Sequence, residues 1–152
     1  MIVVVFVSSI TASYPAYAGT GFDTEASETA ITEIVSKLGP SVVGIIGKLK
    51  QSSPNFSSYG DNLVFGSGVV YKPNGYIVTN AHVVSDMETI VVVLSNGKTY
   101  MARLKAIDDV SDIAVIKIDK GRLKPVVFAS NDDVVPGETV LAIGTPLSFS
   151  LR

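Results

Sequence analysis

Residues 75–84 read Gly-Tyr-Ile-Val-Thr-Asn-Ala-His-Val-Val and combine a turn glycine, a short apolar run and the only histidine of the chain. The run Tyr76–Thr79 follows Asn74-Gly75, and Asn-Gly pairs favour tight hairpin turns because both residue types tolerate positive φ. A second pair, Asn96-Gly97, also separates two apolar runs. The two pairs predict antiparallel strands joined by hairpins.

Seven further apolar runs extend this pattern along the chain and are rich in valine and isoleucine. Short runs of this kind at regular spacing are typical of an antiparallel sandwich or barrel. The predicted strands are Val42–Leu49, Leu63–Tyr71, Tyr76–Thr79, Thr89–Leu94, Thr99–Ile107, Ile113–Ile118, Val126–Ala129 and Thr139–Ile143. The pattern therefore predicts an all-β fold and leaves sandwich and barrel as alternatives.

Composition limits the classes of protein to which the chain can belong. Its 152 residues are 47% hydrophobic and 17% charged, which suits one domain with one core. The 12 basic and 14 acidic residues give a net charge of −2 without a basic block, which argues against nucleic acid or an anionic membrane surface as a partner. The absence of cysteine excludes disulfides, a thiolate nucleophile and cysteine-ligated metals.

The first 18 residues predict export. Met1–Ile10 is apolar, and Ala16-Tyr17-Ala18 is a small-x-small triplet of the kind that signal peptidases cut. We therefore expect a signal peptide over 1–18 and a secreted, cell-envelope or periplasmic protein. The apolar run is shorter than the roughly 20 residues that span a bilayer. A signal peptide normally begins with basic residues, whereas the first lysine of this chain is Lys37. A longer N-terminus with a membrane anchor is therefore an alternative. A buried N-terminal strand is another.

Residues 19–41 form a separate N-terminal segment in this interpretation. Within it, Ile31, Ile34, Val35 and Leu38 follow the spacing i, i+3, i+4, i+7, and a Gly-Pro pair comes next. This pattern predicts a short amphipathic helix over Ser27–Leu38. We expect its apolar face to lie against a core formed by later residues.

His82 is the only imidazole of the chain and stands at the end of a predicted strand. From its position alone it is either a structural residue, hydrogen-bonded to a neighbour, or a general base. A metal site is disfavoured, because a zinc ion would depend on carboxylates that are not clustered in the sequence. A free imidazole titrates near pH ~6.5, so it suits a general base when a carboxylate fixes its tautomer.

The carboxylate that would accompany His82 must be chosen among several acidic residues. Asp108-Asp109 and Asp132-Asp133 are adjacent pairs, and like charges side by side are normally solvated. Asp112 stands alone before the apolar run Ile113–Ile118, so its side chain can enter the sheet. A buried aspartate needs hydrogen-bond donors, and an imidazole N–H is one. On pattern alone, an exposed turn residue or strand cap is equally supported.

Four blocks in fixed order resemble a known family. They are Phe65-Gly66-Ser67-Gly68-Val69-Val70, the stretch 75–84 already quoted, Ser111-Asp112-Ile113-Ala114-Val115-Ile116-Lys117, and residues 136–146, Pro-Gly-Glu-Thr-Val-Leu-Ala-Ile-Gly-Thr-Pro. In this order and spacing they resemble the protease domain of the HtrA/DegP family of exported trypsin-like serine proteases, from Ile31 to the last residue. By that resemblance, His82 corresponds to the general base and Asp112 to the carboxylate that orients it.

The resemblance implies the trypsin/chymotrypsin-like two-barrel fold. Its first antiparallel barrel would be essentially complete over 42–143, with the short N-terminal helix before it. Residues 144–152 would begin a second barrel that is mostly absent.

The family's nucleophile has no counterpart in the chain. By resemblance the serine lies in a Gly-Asn-Ser-Gly-Gly segment after the stretch that matches Gly144-Thr145-Pro146, in the chain order His, Asp, Ser. The 152 residues contain no such segment, and Ser130, Ser148 and Ser150 lack flanking glycines. We therefore expect a fragment that carries the base and the carboxylate but lacks the nucleophilic serine.

The functional expectation is an exported serine endopeptidase of HtrA/DegP type that uses a His-Asp-Ser triad and no cofactor. The resemblance implies polypeptide substrates, in particular misfolded exported proteins, and a homotrimer in the complete protein. The alternative is a secreted non-enzymatic β-barrel, either a binding module or a pseudoprotease, in which His82 is only packed.

Overall fold

The fold is a closed barrel of six antiparallel strands. The computed structural model describes residues 24–58, 62–130, 136 and 140–145, with side chains from Glu28 onward. The elements are helix α1 (Thr24–Leu38), a 3-10 turn (Gly39–Ser41), β1 (Val42–Leu49), β2 (Leu63–Lys72), β3 (Tyr76–Thr79), helix α2 (Ala81–Val84), β4 (Met87–Val93), β5 (Thr99–Asp108) and β6 (Ile113–Ile118). The strands follow one another around the barrel as β1, β2, β3, β6, β5 and β4. Of the two architectures that the strand pattern allowed, the chain adopts the barrel.

The interior of the barrel is filled by alternate residues of the strands. Successive side chains of a strand point to opposite faces, so a buried inner face requires apolar residues at every second position. Val43 and Ile45 of β1, Ile77 of β3, and Ile116 and Ile118 of β6 are each at most 1% exposed. Burial of each such side chain stabilises the fold by roughly 1.5–3 kcal/mol. This core fixes the strand register, because a slip by one residue would turn polar side chains inward.

Two hairpins are closed by the glycines that the sequence pattern singled out. Gly75, between β2 and β3, has a φ of +99°, and Gly97, between β4 and β5, has a φ of +76°. The Gly75 N–H donates to the carbonyl of Lys72 at 3.1 Å, and the Gly97 N–H donates to that of Leu94 at 2.8 Å. The Asn-Gly prediction is confirmed at both turns.

Helix α1 differs from its prediction in its start and in its packing. It begins at Thr24 rather than at Ser27 and ends as predicted at Leu38. The apolar side chains are partly exposed, by 43% at Ile31, 40% at Ile34 and 39% at Val35. The prediction that they pack on the core is wrong, because the core is enclosed within the barrel and is filled by the strands and α2. The helix end is held instead by Lys124, whose Nζ donates to the carbonyl of Lys37 at 2.7 Å.

The last two predicted strands are absent from the part of the chain that the structure describes. Val126–Ala129 is not a strand, and Val127 is 94% exposed. This segment is tied to β2 by a hydrogen bond from Val126 N to Val70 O (2.9 Å) and by an edge contact between the rings of Phe128 and Tyr71, whose centroids lie 5.9 Å apart. Six strands already close the barrel, so no sheet edge is left to accept this run.

The run predicted as Thr139–Ile143 lies partly outside the described residues, and its described part, 140–143, is not a strand. It is followed by Thr145, whose N–H donates to Ser67 Oγ of β2 at 3.1 Å. The two hydroxyl groups also share a hydrogen bond of 2.9 Å. These bonds fasten residues after the barrel to its β2 strand.

The predicted signal peptide, 1–18, falls outside the described residues. Within the described ranges no helix is long and apolar enough to cross a bilayer.

The two turn glycines provide a matched test of the fold. A methyl group at Gly75 would collide with the carbonyl oxygens of Ile118 and Lys120, whereas nothing lies within 4 Å of a methyl group at Gly97. We expect Gly97→Ala to lower the free energy of unfolding by about 1 kcal/mol through its positive φ alone, and Gly75→Ala to lower it by about 3 kcal/mol. Urea denaturation of the two variants measures both losses. Equal losses would contradict the close approach of Gly75 to β6.

Candidate active site

Helix α2 presents His82 at one end of the barrel. Three of its four residues, Ala81, Val83 and Val84, are buried, with exposures of 1%, 8% and 1%. Val83 packs over Gly66 of β2, where even a methyl group would collide with the valine side chain. The side chain of His82 faces away from this packing and is 71% exposed. The apolar contacts of the helix therefore hold the imidazole at the surface.

Asp112 reaches His82 because β3 and β6 are neighbours in the barrel. Thr79 of β3 pairs with Ala114 of β6, so the residues after β3 lie opposite the residues before β6. The same register continues two residues beyond the pair Thr79 and Ala114, where Ala81 N donates to the carbonyl of Asp112 at 3.2 Å. Asp112 has a φ of +53°, a left-handed conformation that aspartate tolerates better than most residues.

The carboxylate of Asp112 contacts both the ring and the backbone of His82. Its Oδ2 lies 2.7 Å from His82 Nδ1, and its Oδ1 accepts a hydrogen bond of 2.9 Å from His82 N. An ionised carboxylate only accepts hydrogen bonds, so Nδ1 carries the hydrogen of the neutral imidazole. The lone pair then lies on Nε2. The pair can therefore take up a proton at Nε2 and return it.

The pKa of Asp112 lies below the ordinary value of 3.8, chiefly because His82 N donates a hydrogen bond to the carboxylate. Desolvation opposes this shift, while the bonds from the side chains of His82 and Asn80 add to it. The carboxylate is therefore ionised at neutral pH and able to stabilise a protonated imidazole.

The acidic neighbour Asp108 has a different task. Its carboxylate accepts hydrogen bonds from Val110 N at 3.0 Å and from the Ser111 hydroxyl at 2.6 Å. The Ser111 hydroxyl is also the main reason that the pKa of Asp108 is lowered. Asp108 thus stabilises the turn that carries Asp112. Within the described ranges, Asp112 is the acidic residue whose carboxylate bonds to the imidazole, and the pair Asp132-Asp133 lies outside those ranges.

Asn80 is part of the site, although the sequence analysis did not single it out. Its Nδ2 donates to Asp112 Oδ2 at 3.1 Å and lies 3.3 Å from the carbonyl oxygen of Asp112. A usable signal was present, since a polar amide between a strand and a buried helical turn needs partners. No group of three or more histidine, cysteine or acidic side chains suited to a metal occurs among the described residues.

Comparison with known proteins identifies a family for this geometry. The family model described as "Trypsin-like peptidase domain" matches residues 66–151. The chain is 41% identical over 122 residues to "Serine protease HTRA1A" of Danio rerio, covering 78% of this chain and 24% of that protein. It is 34% identical over 137 residues to "Serine protease Do-like HtrA" of Lactococcus lactis, covering 78% of this chain and 34% of the relative.

A bacterial relative and a solved structure agree with these matches. "Probable periplasmic serine endoprotease DegP-like" of Pseudomonas fulva is 42% identical over 84 residues, covering 55% of this chain and 18% of that protein. The solved structure titled "HtrA-type protease AlgWS227A with tripeptide" superposes with a TM-score of 0.60 and 27% identity, over 70% of this chain and 32% of that one.

This chain spans only about a quarter of the length of the curated relatives from Danio rerio and about a third of that from Lactococcus lactis. The match to the family model nevertheless includes Gly66–Val70 of β2, the His82 block and the Asp112 block of the barrel. The chain therefore belongs to the trypsin-like peptidases of the HtrA type, a family of serine endopeptidases.

Proposed function

We propose that this chain supplies the general base and its orienting carboxylate to an HtrA-type serine endopeptidase. The observation that carries the proposal is the 2.7 Å contact between His82 Nδ1 and Asp112 Oδ2. In this mechanism Nε2 of His82 takes the proton of an attacking serine and then gives it to the leaving amine. Asp112 holds the tautomer and stabilises the imidazolium, and water hydrolyses the acyl-enzyme.

The nucleophile belongs to a part of the peptidase domain that these 152 residues do not include. The sequence contains no Gly-Asn-Ser-Gly-Gly segment, and the family places its serine there. We propose that the serine and the oxyanion donors come from coding sequence outside these 152 residues, because the base alone cannot supply nucleophilic attack.

The substrates that we propose are polypeptides, in particular misfolded exported proteins, and the assembly is a homotrimer of the complete protein. Export is supported by the small-x-small triplet Ala16-Tyr17-Ala18 after an apolar run and by the periplasmic description of one relative. The proposed mechanism uses no cofactor.

A non-enzymatic β-barrel is the second candidate. It is favoured by the lack of a recognisable nucleophile segment in the sequence. In that case the bond between His82 and Asp112 only fastens α2 to the turn before β6. The two candidates differ in whether the intact gene product contains an activated serine.

The first test of function uses a fluorophosphonate probe, which labels activated serines. It is applied to protein expressed from the intact locus, including any coding sequence around these residues. We expect one labelled serine, and we expect His82→Ala to abolish labelling while leaving the thermal melt in place, because the base is exposed and packs little. No labelling of the unaltered protein would favour the binding module.

The second test compares two neighbouring aspartates by peptidase activity of the same intact protein. Asp112→Asn should lower kcat by up to about 10⁴-fold, as in analogous triads, because the amide stabilises the wrong imidazole tautomer. Asp109→Asn is the matched control and should leave kcat within about twofold, since exposed turn residues away from the chemistry usually tolerate substitution. A loss under about tenfold for Asp112→Asn would contradict its assignment as the orienting carboxylate.

The third test uses the pH dependence of stability. The pKa values of Asp112 and Asp108 are lower in the folded chain than in the unfolded chain, where an aspartate has a pKa of about 3.9. The ionised carboxylates therefore stabilise the folded chain above that pH. This stabilisation is lost as the pH falls through the pKa values of the folded chain. Asp112→Asn should therefore make the urea midpoint of the 152-residue chain fall less steeply below about pH 5. A curve parallel to that of the unaltered chain would show that His82 N does not depress the pKa of this carboxyl.

A further inference from the structure

Asn80 occupies the N-cap position of α2 but does not cap the helix. Its backbone is extended, with a φ of −78° and a ψ of 146°, and its side chain makes no capping hydrogen bond. Asparagine is among the preferred N-cap residues because its side-chain oxygen normally accepts the N–H of the second or third helical residue. Here the N–H of the second residue, His82, is bonded instead to Asp112 Oδ1 at 2.9 Å. The side-chain oxygen of Asn80 therefore does not cap the helix, and the contacts of this side chain are made by its Nδ2.

That amide bonds to Asp112. Nδ2 of Asn80 donates to Oδ2 at 3.1 Å, the same oxygen that lies 2.7 Å from His82 Nδ1, and it also lies 3.3 Å from the carbonyl oxygen of Asp112. The Ala81 N–H donates to that carbonyl oxygen at 3.2 Å. Three consecutive residues therefore hold one aspartate by its carboxylate and by its backbone.

The position of Asp112 explains why it needs several hydrogen bonds. It follows an exposed turn in which Val110 is 98% exposed, and its own side chain is 42% exposed. An exposed carboxylate without fixed donors rotates freely and exchanges its partners for water. Its φ of +53° is a left-handed conformation that is unfavourable for a residue other than glycine, so surrounding contacts must maintain it.

We propose that Asn80 is a positioning residue that keeps Asp112 Oδ2 on His82 Nδ1 and thereby fixes the imidazole tautomer with its hydrogen on Nδ1. Two donors on one oxygen leave the carboxylate a single rotamer in which both bonds form. The catalytic consequence of this role rests on the proposed function, whereas the tautomer itself is a property of this chain.

The tautomer of His82 can be measured directly, because the chain has a single histidine and so gives a single pair of imidazole nitrogen signals. We would record ¹⁵N NMR spectra of the full 152-residue chain at a pH where the imidazole is neutral. Asn80→Leu keeps the approximate side-chain volume and removes the amide, and Asn80→Ala removes both. Asn96→Ala is the matched control, since Asn96 Oδ1 accepts from Lys98 N at 3.1 Å in the hairpin turn between β4 and β5.

We expect the Nδ1–H tautomer to dominate in the unaltered chain and in Asn96→Ala. In Asn80→Leu and Asn80→Ala its ratio to the Nε2–H tautomer should fall about fivefold, the equilibrium equivalent of one ordinary net hydrogen bond. In the intact-locus protein, Asn80→Leu should lower kcat and leave KM unchanged, because Asn80 acts through Asp112 and not on substrate.

An unchanged tautomer ratio in a folded Asn80→Leu chain would overturn the proposal, even if the urea midpoint fell, because Asn80 would then only stabilise the turn. Failure of both Asn80 variants to fold would overturn it for the same reason. A shifted ratio together with no fluorophosphonate labelling of the intact protein would support the positioning role and reject the proposed peptidase. The two proposals therefore fail through different measurements.

Discussion

The pairing of β3 with β6 is the constraint on which the site depends. The first residues of these strands, Tyr76 and Ile113, are 37 positions apart in the sequence (113 − 76), yet closure of the barrel makes the strands neighbours. Their antiparallel register brings the residues that follow β3 close to the residue that precedes β6, so His82 and Asp112 meet at one end of the barrel. Ile77 and Ile116, directly paired and fully buried, stabilise that register. The apolar core thus determines the distance between two exposed, ionisable side chains.

The site shows how exposed groups are held in place by buried ones. His82 is largely exposed, but its flanking residues Ala81 and Val83 are buried. Asp112 is also partly exposed, and its carboxylate is held by N–H groups that belong to the same short stretch as the imidazole. Exposed ion pairs contribute little to stability because water and salt screen them. The contact between His82 and Asp112 therefore contributes little to folding, which agrees with the general-base role that we propose for His82.

Much of this fold could be predicted from local patterns. Val42–Leu49, Tyr76–Thr79 and Ile113–Ile118 match their strands residue for residue, because each is a short β-branched run that ends at turn residues. The pattern failed at Val126–Ala129, which has the same composition but finds no free strand edge in a closed barrel. The prediction that α1 packs on the core is wrong for a related reason, because the closed sheet encloses the core. Strand composition is local, whereas the number of edges and the location of the core are properties of the whole sheet.

The site could be predicted in part. His82 is conspicuous in the sequence as the only histidine. At Asp112 the sequence pattern supported an exposed turn residue as well as a carboxylate bonded to His82, and only the family resemblance favoured the second role. The polarity of Asn80 indicates that it needs a hydrogen-bond partner, but nothing in its spacing distinguishes it from an ordinary helix cap. The partner of Asn80 is Asp112, and the pairing register of β3 with β6 brings the two together. That pairing cannot be derived from the order of the residues alone.

We propose above that His82 acts as the general base for a serine supplied by the rest of the peptidase domain. The most direct measurement is a crystal structure of the intact-locus protein after reaction with a serine-directed phosphonate. We expect the modified serine Oγ to lie within about 3.2 Å of His82 Nε2, with Asp112 bonded to the opposite ring nitrogen. A modified serine that lies away from His82, with Nε2 bonded to a group of its own barrel, would contradict it.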